Sequence, residues 1–136
     1  MMLATQCLAC LMPLVIWSSV VAAETDPECL KHLGGGYGDA ECYHGLSADM
    51  AASNGRLYQS IRMTIPANNG HAKILDEYME AQKNVARYCE LQRDSGDKWS
   101  SEHDGSMYPA LFEQCVYDAR KAQNEFLKGI HVMTKW

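Results

Sequence analysis

Four cysteines constrain the fold of this chain more than any other feature of its sequence. They are Cys29, Cys42, Cys89 and Cys115, and they are separated by steps of 13, 47 and 26 residues. The other two cysteines of the chain, Cys7 and Cys10, lie in its first 23 residues. In an exported chain, an even number of cysteines indicates a disulfide framework, and four cysteines allow three connectivities. A four-thiolate zinc site is the alternative, but no Cys-x-x-Cys pair occurs among these four. Two disulfides are therefore expected.

The first 23 residues form a separate compositional block. They contain no Asp, Glu, Lys or Arg, residues 8–21 are mostly apolar, and small residues end the block at Ala22 and Ala23. This pattern is typical of a secretory signal peptide cleaved after Ala23, although its start has no Lys or Arg. An uncleaved anchor is the alternative, but the apolar stretch is short for a membrane span of roughly 20 residues. We expect a periplasmic or secreted protein, without a stable membrane span, in which residues 24–136 form one domain.

Apolar residues recur at helical spacing in three segments after a glycine-rich start. Residues 24–39 contain Pro27 and a run of glycines, and they predict a loop. Steps of three, four and seven residues predict helices over 40–63, over 71–93 and from Pro109 onward, with Asn54 among the polar positions of the first helix. The polar segment 94–108 predicts an exposed loop. The expected fold class is all-α: a small disulfide-stapled bundle of about three main helices after a Gly-rich N-terminal loop.

The helix layout favours one disulfide connectivity. If the second and third helices pack antiparallel across the 94–108 loop, Cys89 near the end of one helix meets Cys115 near the start of the next. Cys29 and Cys42 then pair with each other. We therefore expect the disulfides Cys29–Cys42 and Cys89–Cys115.

Charge and motifs argue against several classes of function. The chain has 12 basic and 17 acidic side chains, a net charge of −5, so nucleic acid is not an expected partner. It has no Gly-x-Ser-x-Gly turn, no His-Glu-x-x-His pair and no phosphate-binding loop. Its five histidines are scattered without the spacing of metal ligands. We expect a protein that is not an enzyme and has no catalytic residues, metal or cofactor.

Aromatic residues supply the candidate binding surface. The chain has 7 tyrosines, and tyrosine and tryptophan are enriched at protein interfaces. Helical spacing assigns Tyr58 and Tyr78 to core packing, whereas the 94–108 loop is either a solvated loop or a partner-binding loop. The candidate partner-binding residues are Trp99, His103, Asp104, Ser106 and Tyr108.

The order of these features resembles one family. An early cysteine pair is followed by Ala81-Gln82, by Tyr88, by Gly105-Ser106, and by Cys115 with Leu127 twelve residues further on. This pattern is similar to the LprI-type lysozyme-inhibitor domain from about the first of the four cysteines to Leu127. Val85 departs from it, because the family tends to have Trp there. The resemblance implies a small helical cell-envelope domain that binds a lysozyme-type muramidase and occludes its cleft.

Other functions compete with lysozyme inhibition. An acidic chain is steered toward strongly basic lysozymes by complementary charge, but the same charge suits other basic partners. The main alternative is an immunity or envelope-interaction protein that binds a different periplasmic protein or a secreted toxin. A structural envelope domain comes next. An enzyme is the weakest candidate, because no pair among the four cysteines after the predicted signal peptide has the spacing of a redox motif.

Overall fold

A computed structural model describes residues 27–136, and the predicted signal peptide with its cleavage site lies outside the described residues. A short 3₁₀ helix at Glu28–His32 precedes four α-helices, which are α1 (Tyr37–Arg62), α2 (His71–Gln82), α3 (Val85–Ser95) and α4 (Met107–Met133). No strand occurs in this part of the chain. The all-α class is confirmed.

Helices α1 and α4 run parallel and form the main packing interface of the bundle. Their contacts advance together along both helices: the rings of Tyr43 and Tyr117 lie 5.9 Å apart, and further along Asn54 Nδ2 donates to Gln123 Oε1 over 2.9 Å. Helices α2 and α3 connect α1 to α4 in sequence and return in the opposite direction beside this pair. The architecture is therefore an up-down-up bundle of three helical segments. The middle segment consists of two consecutive helices, α2 and α3.

The predicted second helix over 71–93 is broken in the structure. Two i→i+3 backbone hydrogen bonds tighten the chain there, from Lys83 N to Glu80 O at 3.1 Å and from Asn84 N to Ala81 O at 3.3 Å. Asparagine is a weak helix former, because its amide competes for backbone hydrogen bonds. The helix is therefore broken at Lys83 and Asn84, and α3 continues toward the same end of the bundle as α2.

The glycine-rich start is more ordered than a loop. Besides the 3₁₀ helix, α1 begins at Tyr37, three residues before the predicted start. The carboxylate of Asp39 accepts hydrogen bonds from the backbone N–H groups of Gly34 at 3.0 Å and Gly35 at 2.6 Å. These bonds fold the glycine run onto the first turn of α1.

Both expected disulfides are present. The Cα atoms of Cys29 and Cys42 lie 5.8 Å apart, and those of Cys89 and Cys115 lie 5.6 Å apart, each pair with its sulfurs at bonding distance. The four-thiolate zinc alternative is excluded, because every one of these sulfurs is bonded to another. Both disulfides lie toward the end of the bundle where α1 and α4 begin, which we call the disulfide end.

The opposite end, called the distal end, is held by apolar packing. Ile61, Leu75 and Leu127 form the buried cluster there, and Tyr58 and Tyr78 pack against it as expected. None of the helices in residues 27–136 has the length and apolar character of a membrane span. The two ends are thus stabilised by different means.

A layer of buried polar side chains separates the two ends. Asn54, expected on a polar face, is only 2% exposed, and Ser47, Gln123 and Asn124 are buried beside it. Asn124 Nδ2 donates to Asn54 Oδ1 over 2.8 Å, so the amides satisfy one another across the α1–α4 interface. This interface is therefore specified by hydrogen bonds as well as by apolar contact.

Candidate functional site

A cleft of about 640 Å³ opens at the disulfide end. Its walls come from the start of α1, the end of α3, the 96–106 loop and the start of α4. Its lining combines aromatic rings with acidic and basic side chains, and includes Tyr37, Glu41, His44, Arg93, His103, Tyr108, Phe112 and Glu113. This mixture suits recognition of a polar or charged group.

His103 anchors the 96–106 loop to α3. Its Nε2 lies 2.9 Å from Asp94 Oδ1 and its Nδ1 lies 3.2 Å from Asp97 Oδ2, so each ring nitrogen faces a different carboxylate. The ring stacks on Tyr108, with centroids 4.7 Å apart. Both contacts are hydrogen bonds when the imidazole is doubly protonated, because only that form donates from both nitrogens. His103 therefore acts as a clamp inside the loop.

Arg93 strengthens the same anchor. Its Nε donates to Asp94 Oδ1 over 2.8 Å, and its guanidinium lies over the ring of Phe112 at 5.5 Å from the centroid, within cation–π range. The hydrogen bond from Arg93, followed by the one from His103, lowers the pKa of Asp94 below its ordinary value. The carboxylate of Asp94 thus ties α3 to the loop, and Arg93 joins α3 to α4 through Phe112.

The anchored loop displays Trp99. Lys98 and Trp99 both have left-handed backbone conformations, with φ values of 50° and 68°. Such conformations are uncommon for residues other than glycine and cost free energy. The backbone N–H of Trp99 donates to Asp94 O over 2.8 Å and holds this turn, while the indole is 70% exposed. An exposed tryptophan on an ordered turn is preorganised for binding.

The five predicted partner-binding residues divide into two groups. Trp99 and Asp104 are exposed, whereas the side chain of His103 is only 9% exposed. Ser106 is half-buried against the backbone of Gly36, and Tyr108 is half-buried under the imidazole of His103. The structure therefore places His103, Ser106 and Tyr108 as supports of the loop. Their part in binding a partner stays a prediction.

The α1 wall of the cleft is absent from the sequence prediction. His44 Nδ1 lies 3.3 Å from Glu113 Oε2, which joins α1 to α4 across the cleft, and Tyr37 and Glu41 stand beside them. These residues lie about 70 positions apart along the chain, and only the parallel pairing of α1 with α4 brings them together. No local motif in the sequence marks them.

Charge is divided unequally between the two ends of the bundle. The disulfide end, residues 27–49 and 86–118, carries 11 acidic and 4 basic side chains, whereas residues 50–85 and 119–136 carry 4 acidic and 8 basic ones. The formal charges are therefore −7 and +4. Such a distribution orients the molecule in the field of a charged partner.

The acidic and histidine side chains of the cleft do not form a cluster of metal ligands in the described residues. Within residues 27–136, no group of three or more His, Cys, Asp or Glu side chains is placed to hold a metal ion. Asp94 and Asp97 occupy opposite nitrogens of the His103 ring, so the three groups do not converge on one point.

No protein-family model, curated protein or solved structure matches the chain. The functional argument therefore rests on the geometry and charge of the disulfide end.

Proposed function

We propose that this protein is an exported, cell-envelope binding protein that captures a basic protein at its disulfide end and inhibits lysozyme-type muramidases by occluding their substrate cleft. The observation that carries the proposal is the concentration of negative charge, formally −7, around an ordered loop that displays an exposed tryptophan. Occlusion needs occupancy and no turnover, which accords with a protein that is not an enzyme.

Complementary charge supports a basic target. Common animal lysozymes are strongly basic, and opposite charges on two proteins raise the rate of encounter and suppress other partners. The acidic side chains of Glu102 and Asp104 are exposed on the same loop as Trp99. The charge therefore directs this loop, rather than the distal end, toward the target.

The loop also has the shape that occlusion requires. A muramidase binds its polysaccharide in a groove that contains two carboxyl groups, and a protruding aromatic side chain fills such a groove. Trp99 supplies that side chain, and the clamp of His103 between Asp94 and Asp97 limits the conformational entropy lost on binding. Resemblance to the LprI-type domain in the order of sequence features points to the same target.

The test is a titration of oxidised protein comprising residues 24–136 against several classes of lysozyme, with lysis of cell-wall suspensions as the readout. We expect stoichiometric inhibition that weakens as salt rises from low to physiological concentration. Trp99→Ala is expected to weaken inhibition about thirtyfold, as for a central interface residue. Glu102→Gln with Asp104→Asn is expected to weaken it about tenfold, mainly through slower association.

Matched variants at the distal end provide the control. Glu77→Gln with Glu125→Gln removes the same charge from exposed positions far from the loop, and is expected to leave inhibition unchanged. Equal effects of the two charge pairs would mean that only net charge matters and would contradict an oriented interface. Absence of inhibition with every class of lysozyme would remove muramidases as the target.

A basic toxin or another envelope protein is the second candidate target, and the concave form of the cleft favours it. A cleft of about 640 Å³ accepts a protruding side chain, whereas occlusion uses the Trp99 loop. Glu41→Gln with Glu113→Gln changes the cleft and leaves the loop intact. Binding to a captured partner that depends on this pair and tolerates Trp99→Ala would favour the second candidate.

A further inference from the structure

A second pocket opens beside the buried polar layer, and the proposed function does not use it. Its volume is about 450 Å³, and its walls come from α1, the end of α2 and α4. On α1, Ala51 and Gly55 lie about one turn apart and carry little or no side chain, so the helix leaves space there. A Cβ added to Gly55 would meet no atom within 4 Å. We call this space the central pocket.

Arg120 lines the central pocket without an acidic partner. The other two half-buried arginines, Arg62 and Arg93, each lie within 3.3 Å of a carboxylate oxygen. In residues 27–136, the Arg120 guanidinium has no such partner, and it donates only from Nη1, to the backbone and hydroxyl oxygens of Ser47 at 3.1 and 2.8 Å. Because a guanidinium has five N–H donors, those on Nε and Nη2 remain for an anionic ligand.

Gln123 adds a second donor to the same face of α4, three residues after Arg120. The residue is only 8% exposed, and the one acceptor that its Nε2 has among the described residues is Met79 Sδ, at 3.4 Å. A thioether sulfur is a weak acceptor, whereas an amide nitrogen carries two N–H donors. A buried donor in this state favours a ligand oxygen. Together, Arg120 and Gln123 suit a carboxylate, which accepts from two donors at once.

The α2 wall of the central pocket carries negative charge. Asp76 uses Oδ1 for both of its contacts, accepting from Tyr58 Oη over 2.8 Å and lying 3.3 Å from Arg62 Nε. Glu80 accepts from Lys83 through Oε2. Within the part of the chain that the structure describes, no hydrogen bond reaches Asp76 Oδ2 or Glu80 Oε1. These oxygens can therefore accept from a cationic group of a ligand.

We propose that the central pocket binds a zwitterionic amino acid or the end of a short peptide. Its carboxylate would contact Arg120 and Gln123, and its ammonium group would face Asp76 and Glu80. A purely anionic ligand would be repelled by the α2 wall, and a purely cationic one by Arg120. The pocket lining contains two acidic and two basic side chains, which matches a ligand without net charge. Its volume lies within the range of small-molecule sites.

The experiment is a calorimetric titration of oxidised protein comprising residues 24–136, which contains both disulfides and every contact described above. Alanine and alanyl-alanine are the two probes, and the tighter one distinguishes a free amino acid from a peptide end. We expect saturable binding with one site per chain.

Blocked forms of the tighter probe test the two charges separately. Converting its carboxylate to an amide is expected to weaken binding about thirtyfold, because the charge-assisted hydrogen bonds to Arg120 are lost. Acetylating its amine is expected to weaken binding about tenfold, since Asp76 and Glu80 are exposed and their attraction is screened by salt.

Gly55→Leu fills the central pocket and leaves its polar groups in place. We expect it to weaken binding at least about thirtyfold. Its matched control is Gly45→Leu in the same helix, where an added Cβ also meets no atom within 4 Å but faces the cleft of the disulfide end. Both changes replace glycine with a better helix former, and thermal unfolding checks that both variants remain folded.

Arg120→Lys tests the guanidinium itself. Lysine keeps the positive charge and a donor for Ser47 but lacks the planar fork that binds a carboxylate through two hydrogen bonds. We expect binding of the free acid to weaken about tenfold and binding of its amide to stay the same. A merely structural role of Arg120 would weaken both equally. Arg56→Lys, at an exposed position of α1 outside the pocket lining, is expected to change neither.

Four outcomes would overturn the proposal. They are no binding of either probe, equal affinity for the acid and its amide, equal binding by the Gly55→Leu and Gly45→Leu variants, and binding of inorganic phosphate as tight as that of the zwitterion. The last outcome would assign the pocket to anions in general. None of these results bears on lysozyme inhibition, which is measured without amino acids or peptides.

Discussion

The Nε2 atom of His103 lies 2.9 Å from Oδ1 of Asp94, so a residue of the 96–106 loop is bound to the end of α3. Asp97 holds the other ring nitrogen. This pairing explains how a segment rich in serine and glycine keeps one conformation. It also makes the conformation of the loop depend on the charge of Asp94.

Acid is therefore expected to release the loop. The pKa of Asp94 is lowered in the folded protein, first by the hydrogen bond from Arg93 and then by that from His103. A group whose folded pKa is depressed stabilises the fold fully above its unfolded value, here near 3.8, and loses that contribution as the pH falls through the folded value. We expect the emission of Trp99, measured in a Trp136→Phe background, to change over that acidic range.

Two variants test this origin of the acid response. Asp94→Asn removes the titrating carboxylate and is expected to abolish the acidic change in Trp99 emission. Glu90→Gln, one turn earlier on the exposed face of α3, is expected to retain it. An unchanged acid profile in Asp94→Asn would assign the transition to another group.

The two disulfides are expected to contribute unequally to stability. In the chain-entropy treatment, closing loops of 26 and 13 residues stabilises a protein by about 3.5 and about 3 kcal/mol. Cys89 is also buried in the core, whereas Cys29 is exposed. Replacing Cys89 and Cys115 by Ala should thus cost more than replacing Cys29 and Cys42. Urea unfolding measures both losses, and the reverse order would contradict this assignment.

The disulfide connectivity could be predicted from the sequence because each disulfide joins two helices that are consecutive in the chain. Two helices joined by the 94–108 segment pack antiparallel, and this alone places Cys89 beside Cys115. The apolar spacing likewise predicted that these segments are helical, although α1 and α4 begin at Tyr37 and Met107, before the predicted residues. The break at Asn84 was missed, because the apolar spacing continues through it and only the backbone hydrogen bonds change there.

The cleft and the polar layer could not be predicted in this way. Hydropathy places Asn54 on a solvent-exposed face, but its amide is buried by partners about 70 residues away on α4. Glu41 and Glu113 lie on one cleft for the same reason. The parallel pairing of α1 with α4 is a long-range property that no local pattern encodes.

Asn54 is expected to be among the most sensitive positions of the bundle. Its Nδ2 donates to Arg120 O at 3.0 Å and to Gln123 Oε1 at 2.9 Å, and its Oδ1 accepts from Asn124. Asn54→Ala removes all three hydrogen bonds and leaves Gln123 Oε1 buried without its donor, at a cost of about 3 kcal/mol. Chemical unfolding measures this loss.

A double-mutant cycle isolates the Asn54–Asn124 contact. Because Asn54→Leu with Asn124→Leu removes both members of one buried hydrogen bond, the double variant is expected to be about 1–2 kcal/mol more stable than the sum of the single losses predicts. Additive losses would mean that the two amides do not interact in solution.

Replacing Gly36 at the start of α1 is expected to destabilise the protein. Its φ of 128° and ψ of −153° lie in a region that only glycine adopts readily, so Gly36→Ala is expected to cost about 1–3 kcal/mol. An added Cβ would also come within 2.8 Å of Ser106 Oγ, across the junction between α1 and α4. Gly34 is the matched control, because a Cβ there meets no atom within 4 Å and its φ is not positive.

Comparing the Gly34 and Gly36 variants separates the strain of a positive φ from the overlap of an added Cβ with Ser106. Thermal unfolding of Gly34→Ala is expected to change stability by less than about 0.5 kcal/mol. Adding Ser106→Gly to Gly36→Ala removes the side-chain overlap but leaves the positive φ, so rescue is expected to be partial. Full rescue would mean that the contact with Ser106 alone demands glycine. Equal stability of the Gly34 and Gly36 variants would mean that α1 begins differently in solution, which would also alter the mouth of the cleft beside Tyr37.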